Sequence, residues 1–236
     1  MFFIKWLQLE IFPEFYNRQM TSSEAFTYID FASRKIRVYH HFLPVGKSSQ
    51  FVEDTATDMD TGVPLFYTSV LTVNVDPTTR RPSPFPASFK NHFTPEICDR
   101  RIKLEGKLPP RCQEQFSLPN EKSKIFIRSA TITVRQIDRN KHANHVVYGD
   151  LCYDCLGDAF AQSVFGDLGS IFDHNIRRMS FLYLDECSLG DKIDTIVWQD
   201  QNEFLVFKFH IKKGSVIICQ AEFQLFNRNL REKSRL

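Results

Sequence analysis

Glycine is scarce in this chain, with 9 in 236 residues, while phenylalanine is abundant at 23. That balance is of a chain that folds around a core, not of a disordered or fibrous one. Charge of one sign is also lacking. The net charge is +2 and Lys and Arg are scattered, without the basic stripe that nucleic acid would need. No apolar run approaches the roughly 20 residues of a membrane helix, so no membrane span is expected. The opening MFFIKWLQLEIF is interrupted by Lys5 and Glu10, and no small-residue cleavage site follows, so a secretory signal is not expected. The 6 cysteines, at 98, 112, 152, 155, 187 and 219, show no disulfide framework spacing. Cys152 and Cys155 form a CxxC, but no second CxxC or His pair completes a metal site. Buried free thiols in a reducing compartment, with no metal and no cofactor, fit that pattern.

What is present is a pattern of strands around one helix. KIFIRSATITV (124–134) is β-branched and reads as a strand. From Asn144 to about Phe165 apolar residues recur at helical spacing, at Val147, Leu151, Cys155, Ala159 and Val164, before Gly166 and Gly169. Strand-like runs follow at 177–187, 192–200, 203–211 and 215–226. One long helix with an antiparallel sheet to wrap it is an α+β arrangement. The first half repeats the later part: a shift of 144 sets Arg34 on Arg178, Tyr39 on Tyr183 and Gly46 on Gly190. The same shift lays residues 2–18 over the helix, kinked at Pro13, so the first copy is expected to lack its opening strand.

Most of the prolines fall in residues 77–123, which cannot be sheet interior. The expected organisation is a degenerate first copy over 1–86, a Pro-rich linker over 87–123, a second copy over 124–227 and a tail over 228–236. The tail ends Ser234-Arg235-Leu236, which resembles the tripeptide read by the peroxisomal import receptor. A peroxisomal location is therefore expected, with the cytoplasm as the alternative.

The stretch IDRNKHANHVVYGD carries the chemistry. Asp138, Asn140, His142 and Asn144 fall at every second position, and an apolar helix pattern follows. Period two puts alternate side chains on one side of an extended segment, and Asn144 is placed to cap the helix. With Tyr148 four positions on, these residues resemble the D-x-N-x-H-V-N-N-x-x-Y motif of the acyl-ACP thioesterases, which are double-hotdog enzymes. A Glu-Cys pair of that family has its counterpart here in Glu186-Cys187. Ala143 and His145 depart from the motif. The resemblance implies tandem hotdog folds and hydrolysis of acyl-CoA or acyl-ACP thioesters, and pairing of hotdog units makes a homodimer one expectation.

It further implies Asp138, Asn140, His142 and Glu186 as catalytic residues, with Asn144 and Tyr148 meeting substrate. Glu186 would serve as nucleophile or as general base on water, and His142 as its proton partner. Asn140 would donate to the carbonyl, and Asp138 would orient these groups or cap a turn. The N–H groups from Asn144 to Val146 would stabilise an oxyanion. Cys187 is a rival nucleophile, on the opposite face of the same strand from Glu186. Phe42, aligned with Glu186 by the shift, would leave the first copy inert. Two other readings remain open: a hotdog enoyl-CoA hydratase, whose motif spaces its His differently, and a non-catalytic acyl-binding scaffold.

Overall fold

A computed structural model describes residues 2–12, 36–42, 45–92, 115–119, 123–139 and 141–227. Asn140, the tripeptide Ser234–Leu236 and much of the expected linker lie outside them. The chain divides into two units, Met1–Gln113 and Glu114–Leu236, and the division falls inside the proline-rich stretch.

The second unit opens with strand β5 (Ile125–Thr131), continues into helix α2 (His145–Ala161), and then lays down β6 (His174–Tyr183), β7 (Lys192–Gln199), β8 (Val206–Lys213) and β9 (Val216–Asn227). All pairings are antiparallel: β5 with β7, β7 with β8, β8 with β9, and β9 with β6. The helix exists because Val147, Tyr148, Leu151, Cys152, Cys155, Leu156, Ala159 and Phe160 line one face and are all buried. Strand β8 shows the matching alternation. Phe207, Phe209 and Ile211 are wholly buried, and Phe207 meets Phe160 of the helix edge-on at 5.4 Å. His210 points to the other face, where the ring of Phe116 stacks on it at 5.5 Å and Gln220 binds the Phe116 backbone. Phe160, Phe181, Phe207, Phe209 and Phe223 are all buried in this unit. Four cysteines, Cys152, Cys155, Cys187 and Cys219, are free and buried.

The first unit holds β1 (Phe2–Ile11), β2 (Ile36–Phe42), β3 (Ser49–Asp58) and β4 (Pro64–Asn74), followed by the short helix α1 (Ala87–His92). Strand β3 lies between β2 and β4, and β1 pairs along the other side of β4, from Phe2 opposite Asn74 to Ile11 opposite Phe66. The helix expected over residues 2–18 is thus corrected to a strand over residues 2–11. The alternation Leu7-Gln8-Leu9-Glu10-Ile11 has period two, and a ladder partner in β4 secures it. Pro13 lies outside the described residues.

This strand changes the repeat. Since β1 pairs with β4 as β6 pairs with β9, the four strands of the first unit correspond to β6, β7, β8 and β9. Among the described residues the first unit holds no counterpart of β5 or of α2. The shift of 144 is therefore not the structural correspondence. Phe42 ends β2, the place of β7, and has no bearing on Glu186.

Candidate active site

Two loops of the second unit carry the site. The first runs from Gln136 to Asn144, between β5 and α2. It is not the extended comb that period two suggests but a closed turn. Ile137 bridges Ala143, the Asp138 N–H donates to the His142 carbonyl at 2.8 Å, and the Lys141 N–H donates to the Asp138 carbonyl at 3.1 Å. Lys141 adopts a left-handed conformation, φ 66°, to make that reversal. The Asp138 carboxylate accepts from the His142 N–H at 3.3 Å. An aspartate that satisfies a nearby backbone amide favours a turn over a strand, which is why the spacing misleads here.

The turn ends in the helix cap. The Asn144 side chain accepts from the Val146 N–H at 3.2 Å, and the Asn144 N–H donates to the Gln136 carbonyl at 2.8 Å. Two of the amides expected to face an oxyanion are therefore engaged, because a folded helix start satisfies its own donors first. The His145 N–H is the one left without an acceptor among the described hydrogen bonds. Partial burial holds the His145 imidazole below the usual histidine range, against the opposing pull of Asp138.

The second loop, residues 184–191, joins β6 to β7. The strand expected to continue through Cys187 stops at Tyr183. Both Leu184 and Asp185 turn their N–H groups onto the single carbonyl of Ile218, at 2.9 and 3.0 Å, and the ladder ends there. The Asp185 carboxylate then accepts from the Glu186 N–H at 2.8 Å. Gly190, at φ +84°, makes the reversal into β7, and its N–H reaches the Ile132 carbonyl at 2.9 Å.

These loops bring His142 and Glu186 together. His142 Nε2 lies 3.2 Å from Glu186 Oε2, with the imidazole largely buried and the carboxylate 39% exposed. The loops are joined by the backbone as well, because the Ala143 N–H donates to the Cys187 carbonyl at 2.8 Å. Cys187 itself points inward. It is 1% exposed, the Tyr148 hydroxyl lies 3.4 Å from its sulfur, and burial pushes its thiol up. Tyr148 is buried and meets Tyr183 edge-on at 5.3 Å, and burial raises its phenol too. The Tyr183 hydroxyl caps the arrangement by donating to the His145 carbonyl at 3.2 Å.

Of the residues picked from sequence, His142 and Glu186 thus meet through their side chains. Asp138 shapes the turn beneath them, Asn144 caps the helix, and Tyr148 packs against Cys187. Asn140 lies outside the described residues. Sequence reading passed over Lys213, whose Nζ lies 3.1 Å from the Glu186 carbonyl. Only its place at the hairpin Lys213-Gly214 marked it. Among the described residues no cluster of His, Cys, Asp or Glu has the makings of a metal site, and no helix is long and apolar enough to cross a membrane.

Residues 120–227 match the family described as acyl-ACP thioesterase C-terminal domain. Comparison with curated proteins found no match. Among solved structures, the 12:0-ACP thioesterase from Umbellularia californica superposes with a TM-score of 0.68 at 15% identity, over 96% of this chain and 75% of that one. An acyl-ACP thioesterase from Bacteroides thetaiotaomicron gives 0.64 at 18% identity, over 96% and 76%. At such identities the likeness is one of fold, and the fold is the α+β hotdog.

Proposed function

We propose that the chain is a thioester hydrolase that cleaves fatty acyl-CoA, a reading supported by the match of residues 120–227 to the acyl-ACP thioesterase C-terminal domain family. The observation that carries the mechanism is the 3.2 Å approach of His142 Nε2 to Glu186 Oε2. A carboxylate held by an imidazole, yet open to solvent on one side, is equipped to take a proton from water as that water attacks a thioester carbonyl. The His142 N–H steadies the carboxylate while the negative charge moves from it to the carbonyl oxygen. The unengaged His145 N–H at the helix start is a donor for that oxygen. Collapse breaks the C–S bond, the leaving thiolate takes the proton, and the products are a fatty acid and free CoA. The Cys187 thiol, buried and pushed above its ordinary range, is poorly suited to supply a thiolate nucleophile. The choice of CoA over carrier protein rests on the resemblance of Ser234-Arg235-Leu236 to a peroxisomal address.

The test is release of fatty acid, followed by mass spectrometry, a readout that protein thiols do not disturb. A graded series of chain lengths is offered on CoA and on acyl carrier protein. Wild-type protein is expected to turn over acyl-CoA with the higher kcat/KM, and Glu186→Gln and His142→Ala are each expected to lower kcat by about 10²–10⁴-fold. Faster turnover of the carrier-protein series would reverse the carrier assignment. Full activity in either folded variant would remove that residue from the mechanism.

A further inference from the structure

Glu186 stands in a loop, and a loop does not by itself hold a carboxylate to within a fraction of an ångström. What fixes it is visible one residue at a time. The carbonyl of Cys187 is pinned by Ala143, and the N–H of Glu186 by the Asp185 carboxylate. The carbonyl of Glu186 itself accepts from Lys213 Nζ at 3.1 Å. Lys213 is the last residue of β8, and Gly214, at φ +59°, turns the hairpin immediately after it. The same ammonium lies 3.3 Å from Asp191 Oδ2, and that carboxylate also accepts from the Ser188 N–H at 2.8 Å. The Asp191 carboxyl is held below its usual range by the Ser188 N–H first and by Lys213 as well. One side chain from a rigid hairpin therefore grips both the middle and the end of the loop that carries Glu186.

We infer that Lys213, with Asp191 as its anchor, is a positioning residue for thioester hydrolysis: it fixes the Glu186 peptide so that the carboxylate stays against His142. This rests on the hydrolase reading above. Around Glu186, His142 comes from the first loop, Asp185 precedes it in its own loop, and Lys213 reaches its carbonyl from the hairpin. As a surface ion pair, with Lys213 39% and Asp191 28% exposed, the contact contributes little to stability. Its effect on rate is therefore separable from unfolding.

The experiment compares wild type, Lys213→Met, Lys213→Arg and Asp191→Asn for kcat and KM of acyl-CoA hydrolysis, with thermal midpoints measured alongside. Lys213→Met is expected to lose about ten- to a hundredfold in kcat with KM near wild type, the size of effect that small misplacements produce. Lys213→Arg should recover most of the rate, and Asp191→Asn should fall between. Wild-type kcat in Lys213→Met would overturn the inference. So would a rate loss that Lys213→Arg does not recover, or one matched by a fall in the thermal midpoint, since that pattern is merely structural. Should Lys213→Met fail to fold, Lys213→Gln, which keeps a donor without the charge, carries the same comparison. A wild type inactive on every thioester would sink the hydrolase reading and this inference together, whereas an active wild type with an unaltered Lys213→Met sinks the inference alone.

Discussion

Glu186 and Cys187 are neighbours in sequence and opposites in environment. The first is partly open to water against His142, and the second is sealed between Tyr148 and the loop backbone. Cys187→Ala is therefore expected to cost stability, about 1–3 kcal/mol, because the buried Tyr148 hydroxyl loses its partner. Hydrolysis per folded molecule should persist. Denaturant unfolding and steady-state rates on the same preparation check this. A loss as deep as that of Glu186→Gln in folded protein would make the thiol the nucleophile instead. Both residues were legible in the sequence as a pair, and so was His142 by type and spacing. Their relation was not, because the ladder ends where Leu184 and Asp185 share one carbonyl on β9, some 30 residues away in the chain. Lys213 was hidden for the same reason. A lysine before a glycine turn looks like solvent-facing punctuation until the fold brings the 184–191 loop beside it.

At the scale of elements, helix α2 was the most legible feature, since Asn144, the apolar spacing and the end of the pattern all lie within one local stretch. The Asp138–His142 segment was misread for a local reason too. Its period two is that of a strand, but an aspartate able to accept from an amide four residues on closes a turn instead. Asn144→Ala is expected to remove the cap bond to the Val146 N–H at a cost of about 1 kcal/mol. For a chain of this size that lowers the thermal midpoint by about 2–4 °C, measurable by circular dichroism or calorimetry. An unchanged midpoint would mean that the Asn144 N–H bond to Gln136 suffices to start the helix.

On the scale of the whole molecule, the sequence suggested a repeat, but the shift of 144 that carried it does not follow the strand pairing. A repeat search matches similar letters, whereas the structural correspondence follows ladder order, and β1 takes the place of β6 only through its pairing with β4. The first unit does hold an imidazole–carboxylate contact, His40 Nδ1 to Asp54 Oδ1 at 2.7 Å. That pair bridges β2 and β3 in ladder register, with the His40 side chain 63% exposed. Proximity of the two groups alone does not make a site. Delivery belongs to this scale as well. A fluorescent fusion to the N-terminus, ending in Ser234-Arg235-Leu236, is expected to collect in peroxisomes and to spread through the cytoplasm once those three residues are deleted. Identical distributions of both forms would remove the tripeptide from the address.

The hydrogen bond from the Ala143 N–H to the Cys187 carbonyl lies one residue beyond His142 on one loop and one residue beyond Glu186 on the other. The pair is thereby registered like two pages stapled close to the printed line. Side chains at 142 and 186 can be exchanged while the staple stays, so new chemistry can be written onto the same spacing. A single residue inserted between 142 and 143, or between 186 and 187, would leave every functional group in the chain and still pull the two lines of text apart.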